Sequence, residues 1–371
     1  MPQGIATHIP FPSRISPDVE RAQAGFLAWP RAFGLLTSAD AERRHLQGSY
    51  PELAARFHPS ASGDDLDLGV DQQSWFFIFD DQFDNALGRD PEWVRHFIDP
   101  FVGALTSPPE EAPPAAAGDA SPLVAAFADL WARSREGMSP SWRARAARTW
   151  RRYLTGHVTE AINRSQDARP SFASHLALRL DTCGVPPILD IAERLGHFEV
   201  TERAYLSPLV TELRLIAAEV VVLDNEIISL EKEEAIGDNN LVLMTERDSA
   251  CSRSAAIERV CRLIRERTER FVALERRLAS LGDDLALDQP ERDALRRYLA
   301  DALRPVMRGA HDWQQHCVRY TPAYLRLNEA GAGRWQAPPT RTVSQLRTHG
   351  VGQGAGGTEL VGDDERFLST R

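Results

Sequence analysis

Trp75-Phe76-Phe77-Ile78-Phe79-Asp80-Asp81-Gln82-Phe83-Asp84 decides how this chain is read: five apolar residues, four of them aromatic, run unbroken into a cluster of acids. The run lacks the alternation of a half-buried strand, and one helical pattern follows another along the chain with no convincing period-2 stretch. The expected fold class is all-α, a single bundle of helices around a deep apolar cavity. The aromatic run buries its helix to the last turn and leaves the acids at the cavity mouth. On a helix, Asp80 and Asp84 are four apart and their carboxylates share a side, and hard oxygen ligands on one face suit Mg²⁺.

A second oxygen cluster lies far downstream, in Asn225-Glu226-Ile227-Ile228-Ser229-Leu230-Glu231-Lys232-Glu233. Asn225, Ser229 and Glu233 advance in steps of four, which makes a stripe of amide oxygen, hydroxyl and carboxylate over two turns. Ile227, Ile228 and Leu230 pack the other way. The chain before it, residues 215–223, is apolar except for Glu219, so this helix also runs through the core before presenting its polar groups. Of 43 basic residues only Lys232 is a lysine, and it stands beside Glu233, where a compact cation can hold a phosphate.

The rest of the composition excludes several classes. A net charge of −10 opposes nucleic acid and anionic membrane, and no run of about 18 apolar residues exists to span a bilayer. With 43% hydrophobic and 26% charged residues the chain is globular. Four cysteines without CxxC spacing fit a reducing cytoplasm, and the first residues have no signal-peptide pattern. Ser139-Pro140 opens a helix to about Asn163. Asp288-Gln-Pro290-Glu291 opens another with a capping box, expected to run to about Tyr320. Residues 106–122 are a Pro/Ala/Gly loop, 1–330 form the folded domain and 331–371 a disordered tail.

Together these residues resemble bacterial class I terpene cyclases. Asp80-Asp81-x-x-Asp84 is similar to the family's aspartate-rich motif, and Asn225-x-x-x-Ser229-x-x-x-Glu233 to its NSE motif. The family places an arginine diphosphate sensor upstream, and Arg179 lies 46 residues before Asn225. After it, Thr182 and Cys183 resemble the linker and effector at a helix break, which Gly184, Pro186 and Pro187 end on local grounds alone. Arg319-Tyr320 resembles the family's terminal pair that caps the diphosphate, at the end of the last long helix. The likeness runs over most of residues 1–320. Two departures stand out: Glu226 where the family commonly has Asp, a position that is no metal ligand, and Gln314 after Trp313 where a related cyclase has His.

The resemblance implies three Mg²⁺ ions held by Asp80, Asp84, Asn225, Ser229 and Glu233, with Asp84 in an outer role. Arg179, Lys232, Arg319 and Tyr320 bind the diphosphate of a small-molecule allylic substrate. Its sesquiterpene cyclases act on farnesyl diphosphate. A diterpene cyclase, a chain-elongating prenyl transferase and a non-catalytic isoprenoid carrier are the alternatives. The single DDxxD and the NSE stripe disfavour elongation, and two metal clusters are of no use to a carrier. Phe76, Phe77 and Trp313 line the cavity and face a carbocation, whereas Phe57 and Phe83 read as core. His175 and His197 lack zinc spacing and read as ordinary core or surface residues, and the arginines of residues 143–152 as a solvated face. Residues 237–240 and the chain after Tyr320 are expected to order over the closed site. Monomer and homodimer both fit the sequence.

Overall fold

The computed structural model describes residues 5, 7–84, 86–106 and 121–320, and among them every regular element is helical. All lie in the unit Met1–Trp335. Of the expected loop at 106–122, residues 107–120 fall outside the described residues, as does the tail at 331–371, and Pro122 already opens the helix Pro122–Arg135. No described helix is long and apolar enough to cross a membrane, and the four cysteines are free.

Local chemistry sets the helix starts. Ser139 accepts from the Trp142 N–H with Pro140 in the first turn, and the helix runs Pro140–Ser165. Asp288 and Glu291 form the expected capping box at the start of Gln289–Tyr298. That helix does not reach Tyr320. A π-helical stretch, Leu299–Leu303, precedes Arg304–Gln314, where Pro305 has no N–H to continue the ladder. After Gln314 the chain tightens, with His316 and Cys317 both donating back to Trp313 O, and Val318–Tyr320 forms a separate turn.

The helices close a ring. Gly63–Asp80 packs on Tyr50–Phe57, which packs on Arg304–Gln314, then Pro208–Ile228, Phe172–Thr182 and Pro140–Ser165. Pro91–Ala104 and Pro122–Arg135 complete the circuit back to Gly63–Asp80, and Val185–Leu195 crosses between walls. Trp75, fully buried, anchors the aromatic side, with its ring stacked on Phe79 at 4.6 Å and tilted against Phe127 at 5.0 Å. Burying aromatic surface of this size contributes on the order of 3 kcal/mol per ring.

One face of the Pro140–Ser165 helix departs from expectation. Arg143, Arg148, Arg151 and Arg152 are exposed, but Arg145 is buried, paired with Glu193 and lying 4.1 Å from the Tyr205 ring centroid. A helix in contact with neighbours on two sides has too narrow a solvent face for every arginine, and Glu193 compensates the one turned inward.

Candidate active site

The helix Gly63–Asp80 ends at Asp80, so Asp84 is not on its last turn. Gln82 N donates to Phe79 O and Phe83 N to Asp80 O, contacts of the tighter i to i−3 kind that carry Asp84 off the helical face. Asp80 and Asp84 still line one chamber, but the turn brings them together, not the four-residue helical spacing. The Arg319 guanidinium, 2% exposed, donates to Asp81 at 2.7 Å and Asp80 at 3.3 Å, and lies 4.8 Å from the Phe77 ring centroid.

On the opposite wall the stripe keeps its register across a break. Pro208–Ile228 ends and Leu230–Ile236 begins, with Ser229 between them. Ser229 N bonds Asn225 O at 2.8 Å and Glu233 N bonds Ser229 O at 2.9 Å. The Ser229 hydroxyl also donates to Asn225 O at 2.7 Å, the back-bond that bends helices. Lys232 spans the two walls, its Nζ 3.3 Å from Asp84 Oδ2. Burial opposes both charges, yet each partner holds the other ionised: the Asp84 carboxyl sits below its ordinary range and the Lys232 ammonium above its own.

Arg179 stands on Phe172–Thr182. It donates to Glu226 at 2.8 Å and to Asn225 Oδ1 at 3.0 Å, and Asn225 Nδ2 donates to the Tyr320 hydroxyl at 3.1 Å. Thr182 donates to Glu160 at 2.6 Å. The chain then turns through Gly184, whose φ of +72° is left-handed and whose Cα faces Phe76 closely enough that a Cβ would lie 3.4 Å from the ring. Burial pushes the Cys183 thiol up to about 11, so it is a neutral wall group.

These side chains border two spaces that share part of their lining. The polar one, with about 590 Å³ of empty space partly open to solvent, is lined by Asp80, Asp84, Ser229, Lys232, Glu233 and Arg319 among others. The other, about 790 Å³ on the same measure, is lined by Phe76, Trp313, Cys183, Ile188 and Val221 among others. Phe77, Asp80, Arg179, Thr182, Asn225 and Tyr320 border both. Every candidate residue from the sequence therefore lines one space or the other. Phe57 is a correction: it lines the apolar space, because Tyr50–Phe57 forms part of the ring. Phe83 is core, stacked on His157 at 4.6 Å.

Several contributors escaped the sequence reading. Asp81 takes the shorter Arg319 bond. Glu226, fully buried, accepts from Arg179 and from the Leu241 N–H at 2.6 Å, with His175 3.7 Å away. Burial acts to raise its carboxyl, but His175 and Arg179 hold it below the ordinary range. Glu233 moves the other way, raised to about 8 by burial and by the charge of Glu226. Glu160, Arg164 and Asp238 complete the polar wall, Arg164 donating to Asp238 at 3.0 Å. Asp81 and Glu226 stand inside the two motifs and Asp238 in the stretch 237–240 beside the second, which offered a signal; Glu160 and Arg164 depend on which helices meet.

The donor set is hard oxygen throughout, which suits a divalent cation of the Mg²⁺ kind. Among the described residues no three His, Cys, Asp or Glu converge as a metal cluster by themselves.

Residues 72–270 match the family described as terpene synthase family 2, C-terminal metal binding. Over 323 residues the chain is 47% identical to pentalenene synthase of Streptomyces exfoliatus, covering 86% of this chain and 94% of that protein. It is 42% identical to the (-)-beta-caryophyllene synthase of Saccharothrix espanaensis, named as cyclising (2E,6E)-farnesyl diphosphate, over 86% of this chain and 90% of that one. The crystal structure of linalool/nerolidol synthase from Streptomyces clavuligerus is similar at a TM-score of 0.74 and 36% identity, covering 83% of this chain and 100% of that chain.

Proposed function

The chain belongs to the terpene synthase family, and from that premise we propose that it ionises farnesyl diphosphate and cyclises the cation to a cyclic sesquiterpene, releasing diphosphate. One observation carries the reading: a polar space lined by acids and cations adjoins an aromatic one, with Phe77, Asp80, Arg179, Asn225 and Tyr320 lining both. A substrate with an anionic head and an apolar chain fits that division.

Asp80, Asn225, Ser229 and Glu233 hold Mg²⁺, with Asp84 in an outer role, and three ions are expected. When bound, the metal supplies Lewis-acid charge that makes diphosphate a leaving group. Arg179, Lys232, Arg319 and Tyr320 orient the diphosphate and neutralise it as it departs. In the structure these cations are matched with the site's own acids and amide, Arg319 with Asp80 and Asp81, Lys232 with Asp84, Arg179 with Asn225 and Glu226. Substrate binding exchanges those partners. Thr182 and Cys183, at the junction beside Gly184, link Arg179 to the cavity wall.

Once the allylic cation forms, Phe76 and Trp313 present rings to it and exclude water, and Phe77 joins them when Arg319, which lies over its ring here, has turned to the diphosphate. Within the apolar space the one lining carboxylate, among the described residues, is Asp80 at its mouth. No protein nucleophile takes part. Gas chromatography–mass spectrometry after incubation with C10, C15 and C20 allylic diphosphates, each with Mg²⁺ and with EDTA, tests the proposal. A Mg²⁺-dependent cyclic product from the C15 substrate supports it. A cyclic product from the C20 substrate alone moves the reading to a diterpene cyclase, and longer diphosphates move it to chain elongation.

A further inference from the structure

Asn240 is fully buried at the head of the helix Leu241–Asp248, and every part of its amide is used. Its Oδ1 accepts from Val242 N at 2.8 Å and caps that helix. Its Nδ2 makes two donations, to Glu233 Oε2 at 2.7 Å and to the backbone oxygen of Glu226 at 2.7 Å. The next residue extends the link, since the Leu241 N–H donates to Glu226 Oε2, and Glu226 Oε1 receives Arg179. One buried turn therefore touches both Glu233 and the residue that aims Arg179. A side chain with a donor and an acceptor on one planar group is required there. A carboxylate offers no donor to Glu233, and a hydroxyl is too short to replace the amide.

We propose that Asn240 is a positioning residue for the metal site: it fixes the Glu233 carboxylate and, through Glu226, keeps it in register with Arg179, so that metal and diphosphate are bound as one unit. This rests on the proposed role of Glu233. Groups that orient a metal ligand from behind typically change metal affinity by ten- to a hundredfold when lost.

The test uses Asn240→Ser, which keeps a hydroxyl acceptor for the helix cap but cannot reach Glu233, and Asn240→Asp, which keeps the cap and removes both donations. Three quantities are read on the full chain: the melting temperature in EDTA, the rise in melting temperature on adding Mg²⁺ with inorganic diphosphate, and the Mg²⁺ concentration for half-maximal turnover. The expected result is a folded circular dichroism spectrum with a melting temperature in EDTA lowered by several degrees, since the buried partners of the amide are left unpaired, loss of most of the Mg²⁺–diphosphate shift measured from each variant's own EDTA value, and at least a tenfold higher Mg²⁺ requirement in both variants. If the wild type responds to Mg²⁺ and diphosphate and both variants respond equally, the inference is overturned while the metal site stands. A wild type indifferent to Mg²⁺ overturns both.

Discussion

The Arg179 guanidinium donates to the Asn225 amide oxygen at 3.0 Å, across 46 residues of sequence, while its Nε donates to the fully buried Glu226. One planar cation thus touches a proposed metal ligand and a structural carboxylate together. Arg179→Lys keeps the charge but not the fork, so it cannot serve both partners. Turnover is expected to fall about a hundredfold, and stability by about 2–3 kcal/mol because Glu226 is left underpaired in the core. Steady-state kinetics and a thermal melt check the two effects separately; an unchanged melt with intact turnover discards the pairing as functional.

Asn225→Ala and Glu233→Ala should abolish turnover while leaving the helical circular dichroism intact. Both side chains line the polar space and neither forms the packed core. Retained activity in either variant removes that residue from the metal assignment.

Phe77 lies between Tyr50, with ring centroids 4.5 Å apart, and Trp313 at 5.5 Å, and borders both spaces. Arg319 lies 4.8 Å from the same ring centroid, so the face opens to the substrate cation when Arg319 turns to the diphosphate. Phe77→Leu keeps an apolar wall and removes that face. A lost cation–π interaction of about 1–2 kcal/mol corresponds to roughly a tenfold fall in cyclic product, with linear alcohol rising as the cation is quenched. Product ratios by gas chromatography give the answer, and an unchanged ratio makes Phe77 plain packing.

Gly184 takes a φ of +72° with Phe76 close against it. Gly184→Ala places a Cβ in a left-handed conformation and against the ring, costing about 1–2 kcal/mol. A melting-temperature drop of a few degrees, together with altered substrate KM, is the expected outcome. A variant with wild-type stability shows that the turn can relax.

Acid should destabilise the fold through two histidines outside the site. His45 and His58 are buried, and burial lowers both to about 3. A depressed folded-state value means that the unfolded chain takes up the proton first, so stability is present above pH 6.5 and is lost as pH falls toward 3. Between pH 7.5 and 5 each contributes a loss of about 2 kcal/mol. Carboxyls raised by burial, Glu233 and Glu193 to about 8 and Asp71 to about 7, act with the opposite sign over this range, so the histidine part is read as a difference. In urea melts the stability of the wild type relative to His58→Leu should fall by about 2 kcal/mol from pH 7.5 to 5. A difference that does not change with pH refutes the assignment.

Much of this protein was determined by short-range sequence. The all-α class, the capped starts at Ser139 and Asp288, the break at Gly184 and the register of Asn225, Ser229 and Glu233 rest on contacts within a turn or two. Backbone hydrogen bonding and capping act over that distance, so their signals are local. Tertiary structure alone decided the rest. Arg319 reaches Asp81 across 238 residues because the last helix stops at Gln314 and a tight turn swings the arginine over Phe77. Arg145 turned inward because Glu193 was there to receive it. The partner of a buried charge is chosen by which helices pack together, since desolvation makes any unpaired charge there too costly to keep, and no local pattern encodes that choice.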